Sequence, residues 1–168
     1  MPHPSRHRRL ADEPHEPHVL PLRPAASDAP LTDLVAQLVA ELTSERCGRG
    51  LPPIDITLDT AAGRVAAGDA GPLSELLRAL LEAACEAAAA APPRLREVVV
   101  TSVAGPTGLE IEVADSGPQP AADPRSAVSA VRPLAERLGG TLACRGCPEG
   151  GAAITLHLPR RGRRQQAA

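Results

Sequence analysis

The chain has 168 residues, 43% of them hydrophobic, with 18 basic and 20 acidic side chains and a net charge of −2. That length allows one domain with tails, and a near-balanced, interspersed charge gives no field that would draw in nucleic acid or a membrane surface. Phe, Tyr, Trp, Lys and Asn are all absent, so every basic residue is Arg; aromatic stacking platforms, aromatic cages, lysine Schiff bases and Walker-type phosphate loops are thereby excluded.

Residues 1–30 are rich in Pro, His, Arg and Ala and have no hydrophobic period, the composition of a segment that does not repay its ordering entropy. They are predicted to be a disordered tail, and His3, His7, His15 and His18 within it are read as passive. The start, with Arg6, His7, Arg8 and Arg9, lacks the apolar core of a signal peptide, and no run approaches the ~18 apolar residues of a membrane span. A soluble, cytoplasmic protein is expected.

Thr32 is placed as the cap of a first helix running to about Arg46, because Leu34, Val35, Leu38, Val39 and Leu42 recur at helical spacing. Gly48 and Gly50 end it. Ile54, Ile56 and Leu58 alternate with Asp55 and Thr57 as in a strand with one buried face, and a short strand near Val65 follows. The longest helix opens at Pro72, shows an apolar face of Leu73, Leu76, Leu77, Leu80, Leu81 and Ala84, and stops before Pro92 and Pro93.

Val98 to Val103 and Leu109 to Val113 read as a hairpin about a Gly105-Pro106-Thr107-Gly108 turn, and the second strand runs into Asp115-Ser116-Gly117-Pro118. A third helix is expected from about Ser126 to Leu138, halted by Gly139-Gly140. Thr141 to Cys144 and Ala152 to Leu158 make a last hairpin, and residues 160–168 form a basic disordered tail. Cys144 and Cys147 are the one C-x-x-C pair among four cysteines; a zinc site usually has a second such pair. Cys85 and Cys144 are therefore read as small buried hydrophobes.

Helices interposed between antiparallel strand pairs predict an α+β, two-layer sandwich, with a mixed, mostly antiparallel sheet and about three helices on one face. The fold is expected over residues 31–159.

The order of motifs then resembles a family. Leu31-Thr32-Asp33-Leu34, Val65-Ala66-Ala67-Gly68-Asp69, Leu77 through Ala87, Asp115-Ser116-Gly117-Pro118, Leu134 through Leu142 and Gly151 through Pro159 together resemble the ATP-binding catalytic domain of sensor histidine kinases, within the group shared with gyrase, mismatch-repair and chaperone ATPases. The resemblance implies ATP or ADP with Mg²⁺ as cofactors. It implies that Asp115 accepts from the adenine amine, that Gly117 lets backbone approach, and that Thr155 stands near the same edge of the base. Glu86 falls where the family's helix presents a Mg²⁺-binding Asn, and Glu82 lies one turn earlier on the same face. Arg125 falls in the expected phosphate lid, where the family has glycine.

The missing Asn and lid glycines imply ATP binding that is weakened or lost. His15-Glu16 sits between Pro14 and Pro17, unsuited to a phosphoacceptor helix. The partner implied is a signalling protein, either a histidine-bearing hairpin protein or a response regulator. The alternative is a pseudokinase, a non-catalytic ATPase-like module for protein–protein interaction.

Overall fold

The computed structural model describes residues 29–60, 63–65, 69–118, 128–147 and 150–160. Helix α1 spans Leu31–Gly48 and α2 spans Ala70–Ala89. Strand β1 (Ala29–Pro30) pairs antiparallel with β3 (Arg64–Val65), a contact that sequence alone did not suggest. The residue preceding α1 is Pro30, with no side-chain cap. Thr32 is thus inside the first turn and not its cap: the β1 pairing fixes Pro30 in extended backbone, and the helix starts directly after it.

The main sheet has five strands: β2 (Asp55–Thr60), β4 (Glu97–Ala104), β5 (Gly108–Asp115), β6 (Thr141–Gly146) and β7 (Ala152–Pro159), in the order β2-β4-β5-β7-β6. Strand β2 runs parallel to β4 and all other neighbours are antiparallel. The mixed, mostly antiparallel sheet and helical layer match the expected α+β sandwich. Parallel pairing of β2 with β4 requires a crossover, which α2 supplies. Helix α3 is described over Arg132–Arg137, and its expected start at Ser126 lies outside the described residues.

The core lies between α2 and one face of the sheet. Leu73, Leu76, Leu77, Leu80 and Leu81 recur at helical spacing and are at most 1% exposed, against Val98, Val100, Ile111 and Leu156 at 0%. Each such side chain contributes about 1.5–3 kcal/mol by leaving water. Strand alternation assigns Val98, Val100, Ile111, Val113, Ile154 and Leu156 to the helical side. The opposite face carries Thr101, Glu110, Glu112, Thr155 and His157.

Arg78 ties α1 to α2, with its guanidinium 2.6 Å from Glu41 Oε2 and 3.2 Å from Glu45 Oε1. These contacts are solvent-screened and set the helix pair's orientation more than its stability. Leu58, read as buried, is 37% exposed because β2 is the sheet's edge strand. Cys85 is fully buried, whereas Cys144 is half-buried and packed against the core.

Candidate functional site

Strand β5 delivers Asp115 to the mouth of a cavity of about 120 Å³ between α2 and the sheet. The cavity wall is made by Leu80, Ala83, Ala84 and Ala87 of α2, Val113 of β5, Cys144 of β6, and Ala152 and Ile154 of β7, with Pro118 at the rim. These surfaces are aliphatic apart from the Cys144 thiol, and Asp115 supplies the carboxylate among them. Alanine at positions 83, 84 and 87 leaves the space that longer side chains would fill.

Two loops hold the carboxylate. The Gly117 N–H donates to Asp115 Oδ1 at 2.8 Å, and the Ala152 N–H donates to the same carboxylate from the start of β7. Burial raises the Asp115 pKa above its ordinary value, while the Gly117 and Ala152 bonds pull it back down. The result is a half-buried carboxylate that retains oxygen lone pairs for a ligand donor.

Ser116 anchors the same loop from the other side. Its Oγ accepts the Glu97 N–H at 2.8 Å and donates to the Leu95 carbonyl, and its own N–H donates to the Glu97 carbonyl at 3.1 Å. Gly117 is buried against α2, where an added Cβ would stand 2.7 Å from the Ala87 carbonyl oxygen. Gly151 has φ +80° and a Cβ there would overlap the Asp115 carbonyl. Both positions require glycine for close backbone approach.

The structure therefore brings Asp115 and Gly117 together, and it does not bring Thr155 to them. The β5–β7 register pairs Glu112 with Thr155, and Thr155 Oγ1 donates to Glu112 Oε2 at 3.0 Å on the sheet's other face. Side chains alternate along a strand, so Ile154 lines the cavity and Thr155 points away from it.

Glu82 and Glu86 are exposed on α2. They line a separate groove of about 340 Å³ between α1 and α2, together with Leu42, Arg46 and Arg49, and neither lines the Asp115 cavity. Arg125 and the tail histidines lie outside the described residues.

Mg²⁺ takes one or two carboxylates together with phosphate oxygens and water. Glu86 shares its groove with Arg46 and Arg49, and no cluster of three metal-ligating side chains occurs among the described residues. The described residues do not fit a metal held beside the Asp115 cavity.

Sequence reasoning missed Ser116, Ala152 and Gly151 as supports of Asp115. The Gly150-Gly151 pair before an alternating strand was the available signal for Gly151; the Ala152 contribution is a backbone N–H, which no side-chain pattern reveals. The C-x-x-C pair is separated by extended chain, since the Cys147 N–H continues the ladder to the Gly151 carbonyl at 3.1 Å. Three extended residues span ~10 Å, beyond the ~7 Å between Cα atoms that a disulfide bridges.

No family model matches the chain, and no curated protein matches it. Solved structures do. The chain is 17% identical to the mycobacterial sensor histidine kinase MprB over 80% of its own length and 97% of that chain, with a TM-score of 0.62. It is 22% identical to the ATP-binding domain of PrrB from Mycobacterium tuberculosis, covering 80% of this chain and 97% of that one at a TM-score of 0.63. For the Acinetobacter baumannii histidine kinase AdeS the values are 16% identity, 84% and 70% coverage, and a TM-score of 0.65. The likeness is one of fold.

Proposed function

We propose that this chain, which has the fold of a histidine-kinase ATP-binding domain over residues 31–159, is a nucleotide-binding-type domain of two-component signalling with a retained adenine half and an altered phosphate half. The observation that carries this reading is Asp115: a half-buried carboxylate at a strand end, held by two backbone N–H groups at the mouth of an aliphatic cavity. A carboxylate accepts from an exocyclic amine, and the flat alanine wall of α2 offers a surface for a ring.

The phosphate half departs from what the fold implies. By the resemblance Glu86 falls at the position of a Mg²⁺-binding Asn, but it lines the α1–α2 groove and not the Asp115 cavity, and α2 has no basic residue in its last turn. ATP binding is accordingly weak, and phosphotransfer to a histidine-bearing hairpin protein, or onward to a response regulator, requires that partner to complete the site. No helix among the described residues is long and apolar enough to cross a membrane.

A second reading, a non-catalytic interaction module, draws support from a different place. An apolar cleft of about 450 Å³ runs between the end of α1 and β2, lined by Leu51, Pro52, Pro53, Ile54 and Ile56 among others. Leu95 and Val103 are also 60% and 63% exposed.

Calorimetric titration with ATP and ADP, with and without Mg²⁺, tests the first reading against the second. Binding that disappears in Asp115→Ala supports a working adenine pocket. No heat at millimolar nucleotide, from protein shown folded by far-ultraviolet circular dichroism, supports the interaction module instead.

A further inference from the structure

We infer that Ser116 is a positioning residue of the adenine site: its hydroxyl touches no ligand, and it sets the affinity for adenine by holding Asp115 and Gly117 in their relative placement. The inference rests on the adenine reading above and adds to it a residue outside the cavity.

The β4–β5 ladder ends at this residue. Val98 pairs with Asp115, so the next pair in register is Glu97 with Ser116. In a hydrogen-bonded antiparallel pair the two residues exchange both N–H···O bonds through the backbone. Here the Ser116 N–H reaches the Glu97 carbonyl at 3.1 Å, but the Glu97 N–H is taken by Ser116 Oγ at 2.8 Å. The side chain stands in for the Ser116 carbonyl, and the backbone is released from the strand directly after Asp115.

That release lets the chain turn back on the carboxylate. The Gly117 N–H meets Asp115 Oδ1 at 2.8 Å, and Gly117 lies so close to α2 that a Cβ would stand 2.7 Å from the Ala87 carbonyl oxygen. A Ser116 that stayed in the ladder would carry Gly117 along β4, away from that oxygen.

The hydroxyl also donates to the Leu95 carbonyl. A hydroxyl both donates and accepts, and both capacities are used, so one side chain spans Leu95 and Glu97. Alanine supplies neither bond and threonine supplies both. Ser116 does not line the cavity, so its effect on a ligand passes through Asp115.

Burial is the leading influence on the Asp115 carboxyl and raises its pKa, and the Gly117 bond is the first of the two that lower it, ahead of Ala152. Loss of the Gly117 bond therefore favours the neutral acid, which presents a proton in place of a lone pair. The other described groups around the carboxylate are the same whatever stands at 116. Helix α2 turns Leu80, Ala83, Ala84 and Ala87 to it, and β6 turns the Cys144 thiol. Arg145 and Glu97 fall on the sheet's other face by strand alternation, and Arg96 Nε donates to the Ala91 carbonyl at 3.1 Å.

Calorimetric titration with adenosine, which carries the ring and its amine without phosphates, tests this on the full chain, Ser116→Ala and Ser116→Thr. Each is shown folded by circular dichroism, and the Asp115 carboxyl is titrated by ¹³C NMR in the ligand-free protein. Ser116→Ala is expected to bind adenosine about tenfold more weakly, with its Asp115 titration moved to higher pH, and Ser116→Thr is expected to restore both. Ser116→Cys keeps the volume with a weaker donor; it is expected to fall between, and it serves where Ser116→Ala does not fold. Unchanged adenosine affinity in Ser116→Ala overturns the positioning role and leaves the adenine reading standing. Weaker binding with an unmoved Asp115 titration, or without recovery in Ser116→Thr, also overturns it. No heat from the native chain at millimolar adenosine overturns the adenine reading and the effect on affinity together; the ¹³C titration, which needs no ligand, then decides separately whether Ser116 holds the carboxylate.

Discussion

The Gly117 N–H and Asp115 Oδ1 lie 2.8 Å apart, across a loop whose middle residue, Ser116, is fastened to Leu95 and Glu97. The carboxylate is thereby fixed before any ligand arrives. Fixing costs desolvation, which is the leading cause of the raised Asp115 pKa.

That raised pKa sets a direction for stability against pH. Folding favours the neutral acid, so the contribution is fully present below the ordinary Asp value near 3.8 and is lost as pH rises through the higher folded-state value. Relative to Asp115→Asn, the native chain is expected to lose unfolding free energy as pH climbs from about 3 toward 7. Urea unfolding followed by circular dichroism at stepped pH checks this; a difference that grows in favour of the native chain with pH contradicts it.

Gly117→Ala and Gly151→Ala are each expected to destabilise the fold by about 1–3 kcal/mol. Alanine at 117 collides with the Ala87 carbonyl, and alanine at 151 collides with the Asp115 carbonyl at a backbone φ of +80°. Gly50, with φ +66° but nothing near an added Cβ, isolates the backbone cost alone. Thermal melts of the three variants separate collision from conformation: 117 and 151 are expected to fall further than 50.

The cysteines substitute for the missing aromatic reporters. Cys47 is exposed, whereas Cys85 is fully buried and its thiol pKa is raised, first by burial and then by Glu82 and Glu86, with Arg46 opposing. A maleimide is expected to modify Cys47 at least ~10-fold faster than Cys85 in the native chain. Peptide mass mapping reads both rates, and Cys85 labelling should rise with denaturant as the core opens.

Thr155→Val is expected to leave adenosine affinity within about twofold, because its partner is Glu112 on the far face of the sheet. Loss of binding on the scale of Asp115→Ala would place Thr155 in the site after all. Calorimetry on the two variants decides.

The contrast between Asp115 and Thr155 shows how far the chain alone could be read. Helix α2 was legible because Leu73, Leu76, Leu77, Leu80 and Leu81 declare one face, and the β4–β5 hairpin because Gly105 to Gly108 interrupts two apolar runs. Asp115 was legible for the same reason, at the end of the run Ile111, Val113. Thr155 was placed with it by resemblance, although the alternation Ile154, Leu156 already set Thr155 on the opposite side.

Other features depend on pairings between distant segments. The Ala29–Pro30 strand exists only through Arg64 and Val65, and the exposure of Leu58 follows from β2 being the sheet's edge. Glu86 sits on the polar side of an amphipathic helix, which sequence showed. Its groove partners Arg46 and Arg49 come from α1 and from the turn after it, which only packing reveals.

The most direct test of the adenine reading is an amide ¹H–¹⁵N correlation spectrum recorded as adenosine is added. The account predicts progressive shifts at Gly117, Ala152 and Ala87, around the Asp115 carboxylate, with Glu112 and Thr155 across the sheet and Ile54 in the apolar cleft unmoved. An unchanged spectrum at millimolar adenosine, or shifts confined to Cys47–Ile54, would contradict it.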